Sequence, residues 1–187
     1  MPRFKKKLPI KTLFLLRYAI APYFQWQDIP ARWATKDNLH ITLAFLGGRS
    51  DRELEEINSL VKEEASRHNP FEIVLEKIVY GPTKENPRMI WVAVKSPEDL
   101  LNLQKGIEKT LTDAELYTPE NREFSPHITL ARLKEWQFRQ IEPEERPTVN
   151  EEIDLRFTVN SVDLMESALK RTGSEYKILE SFPLSIP

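Results

Sequence analysis

His40-Ile41-Thr42-Leu43-Ala44-Phe45-Leu46 and His127-Ile128-Thr129-Leu130-Ala131-Arg132-Leu133 agree at six of seven positions and begin 87 residues apart. Two of the chain's three histidines open these segments. In a strand, alternate residues share a face and lie about 6.6 Å apart. His40 and Thr42 therefore face one way while Ile41 and Leu43 face the other, and the second copy repeats the arrangement. A single strand histidine is usually structural, and threonine is favoured in strands in any case. Two copies in the same apolar frame instead mark a duplicated half-unit with a common use for its polar positions.

Working outward from the repeat, Leu39 to Leu46 reads as a strand ended by Gly47-Gly48, and Leu13 to Ile20 as an earlier strand. Ser50 with Glu53 forms a capping-box signature. Leu54, Ile57, Val61 and Ala65 then recur at helical spacing until Asn69-Pro70. Phe71 to Tyr80 and Met89 to Val94 read as strands around a polar, proline-containing loop. Ser96-Pro97 opens a second helix with the stripe Leu100, Leu103, Ile107 and Leu111. Strands are expected over Ile128 to Leu133, Ile153 to Met165 and Tyr176 to Leu184, the last two separated by a turn at Thr172-Gly173-Ser174. Lys134 to Asn150, charged and rich in Pro and Glu, reads as a surface excursion. Strands and helices alternate irregularly, which predicts an α+β architecture.

Composition restricts the chemistry. The 187 residues carry 27 basic and 29 acidic side chains for a net charge of -2, without the basic excess that long duplex binding needs. Residues 1 to 50 nevertheless hold nine basic and two acidic residues, so an anion site is compatible with the N-terminal quarter. The absence of cysteine removes disulfides, thiolate zinc sites and cysteine nucleophiles. Lys5 to Lys7 before Leu13 to Leu16 mimics a secretory signal, but Arg17 interrupts the apolar run after four residues. No stretch approaches the roughly 20 apolar residues of a membrane helix. A cytoplasmic protein with no membrane association is the expectation.

If the two halves are related by a pseudo-two-fold axis, two imidazoles face each other across a groove with a hydroxyl beside each. Such a site suits in-line displacement at phosphorus. Histidine, ordinarily near 6.5, serves as acid or base at neutral pH, and threonine hydroxyls stabilise phosphoryl oxygens without ionising. This design requires neither metal nor cofactor.

On these motifs the sequence resembles the two-histidine (2H) phosphoesterases. Its nearer likeness is to their RNA 2',3'-cyclic phosphodiesterase branch, also called bacterial and archaeal 2'-5' RNA ligases. Asn38-Leu39-His40-Ile41-Thr42-Leu43 with Phe45-Leu46-Gly47 is similar to the first motif of that branch, and Pro126-His127-Ile128-Thr129-Leu130-Ala131-Arg132 to the second. Phe157-Thr158-Val159 to Glu166-Ser167, followed by Tyr176 to Pro183, is similar to its closing hairpin. The resemblance implies one bilobal domain over 1–187, with two pseudo-symmetric lobes of antiparallel sheet and outer helices around a central cleft. It implies His40, Thr42, His127 and Thr129 as catalytic residues, Arg132 on phosphate and Phe45 against a base. RNA ends or cyclic nucleotides bearing a 2',3'-cyclic phosphate are the expected partners, and the chain is expected to be a monomer.

Arg132 and Phe45 lie five positions after their histidines, an odd offset that an ideal strand sends to the opposite face. They reach the cleft only if the strand twists or ends there. Arg17 shares a face with Leu13, Leu15 and Ala19, and either contacts phosphate or extends to solvent. His68, beside Arg67 at a helix C-terminus, reads as structural. Trp26, Trp33, Trp91 and Trp136 read as packing residues, and Glu142 to Glu145 as a solvated face. The same displacement with a sugar hydroxyl in place of water would be 2'-5' ligation. The five glycines form neither GxxxxGK nor GxGxxG, which disfavours a P-loop ligase. A non-catalytic RNA- or nucleotide-binding module is the remaining alternative, although binding alone does not call for two titratable groups.

Overall fold

A computed structural model describes residues 6–13, 26, 28–95, 97–170 and 173–185. Its strands are β1 (Lys6–Leu13), β2 (Ala31–Trp33), β3 (His40–Arg49), β4 (Phe71–Gly81), β5 (Met89–Val94), β6 (His127–Leu133), β7 (Asn150–Val159), β8 (Ser161–Lys170) and β9 (Gly173–Pro183). The helices are α1 (Asp51–Ala65), α2 (Glu98–Asp113) and the single turn α3 (Glu135–Phe138). Among the described residues the strands form one nine-stranded sheet in the order β7-β4-β5-β6-β3-β1-β8-β9, with β2 beside β6. Every pairing is antiparallel.

The order reads outward from the centre in the same way on both sides. Four strands end at β6 and four at β3, and each of these innermost strands opens with a His-x-Thr motif. Among the described residues the halves meet at a single pairing, Ile41 opposite Ile128, and both isoleucines are fully buried. That pair places the aliphatic side of both motifs in the core. It leaves the histidines and threonines, one position away on either side, for the opposite face. This is the α+β, pseudo-symmetric arrangement expected.

The helices cover the core face. Ser50 caps α1 by accepting the Glu53 N–H while the Glu53 carboxylate accepts from the Ser50 N–H at 2.7 Å and hydroxyl at 2.6 Å. These bonds pull the Glu53 carboxyl down to about 2. Ile57, Val61 and Ala65 of α1 and Leu100, Leu103, Ile107 and Leu111 of α2 are all buried. The two helices pack on each other, α1 also against β8 and β9 and α2 against β3.

Several boundaries differ from expectation. The first strand is Lys6–Leu13, so the expected strand over Leu13 to Ile20 overlaps it only at Leu13, and 14–20, including Arg17, lie outside the described residues. Gly47-Gly48 does not end β3, which runs on to Arg49 because Gly47 adopts φ +71° and lets the strand continue through a conformation that side chains resist. The run Ile153 to Met165 is divided at Asn160 into β7 and β8, which belong to opposite halves of the sheet. Gly173 and Ser174 lie within β9 rather than a turn, and Thr172 is outside the described residues. The excursion from Lys134 to Asn150 is tied down, with Phe138 and Val149 buried and the Tyr80 hydroxyl donating to the Pro147 carbonyl at 2.9 Å. Glu142, Glu144 and Glu145 are exposed, as expected of a solvated face.

Candidate active site

The polar face of β3 and β6 lines an open cleft of about 2090 Å³ that contains His40, Thr42, Phe45, His127, Thr129 and Arg132. Six of the seven site residues read from the sequence thus converge there, and Arg17 lies outside the described residues.

Phe45 and Arg132 reach this face through a β-bulge that occurs at the same place in both copies. On β3, Ile10 pairs with Ala44 but Lys11 pairs with Thr42, so Leu43 is an extra residue. On β6, Ile90 pairs with Ala131 but Trp91 pairs with Thr129, so Leu130 is extra. One inserted residue reverses the alternation. Leu43 and Ala44 are both buried, as are Leu130 and Ala131, after which Phe45 and Arg132 emerge on the histidine side. The bulge carbonyls are both satisfied: Leu43 accepts from buried Gln104 Nε2 at 3.4 Å, and Leu130 accepts from the Ala34 N–H at 2.7 Å. The sequence carries a signal at each bulge, since Leu43-Ala44 and Leu130-Ala131 put two apolar residues in succession where alternation calls for a polar one.

The two imidazoles are held alike. His40 Nδ1 donates to the Asn38 carbonyl at 2.5 Å and His127 Nδ1 donates to the Ser125 carbonyl at 2.8 Å, in each case two residues upstream. A carbonyl can only accept, so Nδ1 carries a proton in both rings and Nε2 is the position that gains or loses one. Each ring also meets an aromatic side chain. His40 stands edge-on to Tyr176 at 4.9 Å, and His127 lies against Trp91 at 4.1 Å. Trp91 can approach because Gly81 offers no side chain: a Cβ there would fall 2.3 Å from the indole. Trp91 was expected only to pack, but it also forms a wall of the cleft.

Burial pulls the His127 imidazole below its ordinary value, reinforced by the Arg122 and Arg132 charges and opposed by the bond to Ser125. His127 therefore favours the neutral form, a proton acceptor at Nε2. Thr129 Oγ1 donates to Met89 Sδ at 3.8 Å and Arg132 Nη1 to the same sulfur at 3.5 Å, weak contacts that a phosphoryl oxygen would improve on. His68 is elsewhere, at the end of α1 with Nε2 2.9 Å from Glu64 Oε1, as expected of a structural residue. Among the described residues no three His, Asp or Glu side chains form a metal-binding group, and no helix is long and apolar enough to cross a membrane.

Comparison with known proteins places this geometry. A family model described as the 2'-5' RNA ligase superfamily matches residues 25–171. An RNA 2',3'-cyclic phosphodiesterase of Thermus thermophilus is 32% identical over 170 residues, covering 88% of this chain and 79% of the relative. One from Aquifex aeolicus is 27% identical over 164 residues, 83% of each chain. A crystal structure of a Thermus thermophilus protein superposes with a TM-score of 0.76 at 27% identity, covering 95% of this chain and 97% of that one. E. coli LigT complexed with 3'-AMP has the same fold, with a TM-score of 0.70 at 22% identity over 97% of this chain and 99% of its own. The match runs through both motifs and the sheet that joins them, and the chain belongs to the 2'-5' RNA ligase superfamily.

Proposed function

We propose that this protein hydrolyses 2',3'-cyclic phosphates at RNA ends or on nucleosides, using His40 and His127 as a paired acid and base. The observation that carries this reading is the two-fold placement of imidazoles on the central strands. Each has Nδ1 fixed to a backbone carbonyl, and both line one cleft. The family's relatives named RNA 2',3'-cyclic phosphodiesterase support the same substrate class.

In-line displacement requires the attacking and departing oxygens on opposite sides of phosphorus, so two histidines from opposite halves divide the work. His127, biased neutral, takes the proton from water at Nε2 as the water oxygen bonds to phosphorus. His40, protonated at Nε2, gives its proton to O3' as the P–O3' bond breaks, leaving a 2'-phosphate and a free 3'-hydroxyl. The protons then return to their starting positions through solvent. Thr42, Thr129 and Arg132 hold the non-bridging oxygens, and Phe45, 53% exposed, supplies a face for the terminal base. A 5'-hydroxyl replacing water would run the displacement as ligation, the reaction in the family's description.

The test is phosphorus NMR of the product formed from each of the four nucleoside 2',3'-cyclic phosphates. A 2'-phosphate is expected. A 3'-phosphate would overturn the regiochemistry, and no turnover of any of the four or of a cyclic-phosphate RNA end would overturn the activity.

A further inference from the structure

Beyond the motif residues, one end of the cleft carries a charge arrangement that stability alone disfavours. Arg32 of β2 pairs directly opposite Arg132 of β6, so two guanidinium groups stand on the same face of adjacent strands. Like charges in directly opposed positions are destabilising. Two more cations adjoin them. The Arg88 carbonyl accepts from the Leu133 N–H at 2.9 Å, and Lys134 follows at the end of β6. All four are exposed and line the cleft, and none has an ion pair among the described residues. Of the acids that line the cleft, Glu135 pairs with Arg139 at 3.4 Å and Glu120 with Arg122.

An aromatic side chain stands beside these cations. Trp136 is 76% exposed and lines the same cleft, so it does not pack as its sequence context suggested. Its mount is firm, because α3 is pinned by buried Phe138, which meets the Tyr80 ring at 5.6 Å and lies under the Arg146 guanidinium at 5.1 Å. An indole carried on an anchored turn costs less ordering when a flat ligand stacks on it.

We infer that Arg32, Arg88, Lys134 and Trp136 form a subsite for the nucleotide preceding the terminal one, so that the protein recognises single-stranded RNA 3' ends in preference to mononucleotides. This rests on the proposed cyclic phosphodiesterase reading only for the position of the terminal phosphate. Unpaired cations tracking a backbone next to an aromatic platform are what single-stranded nucleic acid requires. Strand spacing puts Arg132 about 13 Å along β6 from His127, allowing for the bulge, so the cations beyond it lie past the reacting phosphate. The indole takes the penultimate base, and the cations take the phosphates on its 5' side.

The experiment is equilibrium binding of a 5'-labelled RNA tetranucleotide ending in a 2'-phosphate, with nucleoside 2'-phosphate as an unlabelled competitor. The parent protein should bind the tetranucleotide at least tenfold more tightly. Trp136→Ala should lower the ratio of the two affinities by about 5- to 100-fold, the usual effect of removing one stacked base contact, while Trp136→Phe keeps most of it. Arg32→Ala with Arg88→Ala should reduce the slope of log K against log salt by about 1.4, two contacts at roughly 0.7 each. A parent that binds both ligands equally, or variants that retain the parent's ratio and salt slope, would overturn the subsite. Catalysis is scored separately on cyclic mononucleotides. Hydrolysis without oligonucleotide preference removes the subsite and leaves the activity, whereas preference without hydrolysis does the reverse.

Discussion

At the scale of single residues, the proposed catalysis rests on His40 and His127, each held through Nδ1 by a carbonyl two residues upstream. His40→Ala and His127→Ala should each lower hydrolysis of a cyclic nucleotide by about 10²- to 10⁴-fold with folding little changed, measured as kcat and by circular dichroism. His68→Ala should stay within about twofold, because its Nε2 partner is the Glu64 carboxylate, far from the cleft's motifs in the chain and absent from its lining. Burial also makes His127 a determinant of stability. Its folded value lies below the ordinary 6.5, so the unfolded chain takes up a proton that the folded chain resists. Its contribution is therefore present above about pH 6.5 and is lost as pH falls towards the lowered folded value. Urea melts from pH 7.5 to 5 should show this decline, and His127→Gln should remove part of it. The convergence of the histidines and threonines on one cleft was legible in the sequence because the motif occurs twice. The lowered value of His127 was not, since it comes from burial and from Arg122, contributed by other parts of the chain.

At the scale of elements, the paired bulges do what the motif alone cannot. Phe45 and Arg132 were expected in the cleft by resemblance, and regular strand periodicity argued against them. The inserted Leu43 and Leu130 reverse that conclusion in both halves. Gln104→Leu removes the only side-chain donor described for the Leu43 carbonyl and should cost about 1 to 3 kcal/mol in urea unfolding. It should also raise KM more than it lowers kcat, because Phe45 loses its fixed position while the histidines keep theirs. Unchanged stability and KM would show that the bulge holds without Gln104. The capping box, the two helix stripes and the central strands were readable from local pattern. The break at Asn160 was not, because Ile153 to Met165 is continuously strand-compatible and its division is imposed by pairing with β4 on one side and β1 on the other.

At the scale of the whole molecule, one sheet with two similar halves brings a histidine from each half to one cleft. Activity should survive millimolar EDTA, because two histidines, two hydroxyls and an arginine supply the proton transfers and charge stabilisation; inhibition reversed by added metal would contradict this. The pseudo-symmetry was visible from the repeat at 40 and 127, but the seam at Ile41 and Ile128 required the folded register. The most direct test of the paired-histidine mechanism is the pH profile of kcat/KM for a cyclic nucleotide, recorded for the parent and for His40→Ala and His127→Ala. The parent should give a bell around neutrality whose two apparent values belong to the pair. His127→Ala should lose the acidic limb and His40→Ala the alkaline one. A rate independent of pH from about 5 to 9, or the same bell in all three proteins, would contradict it.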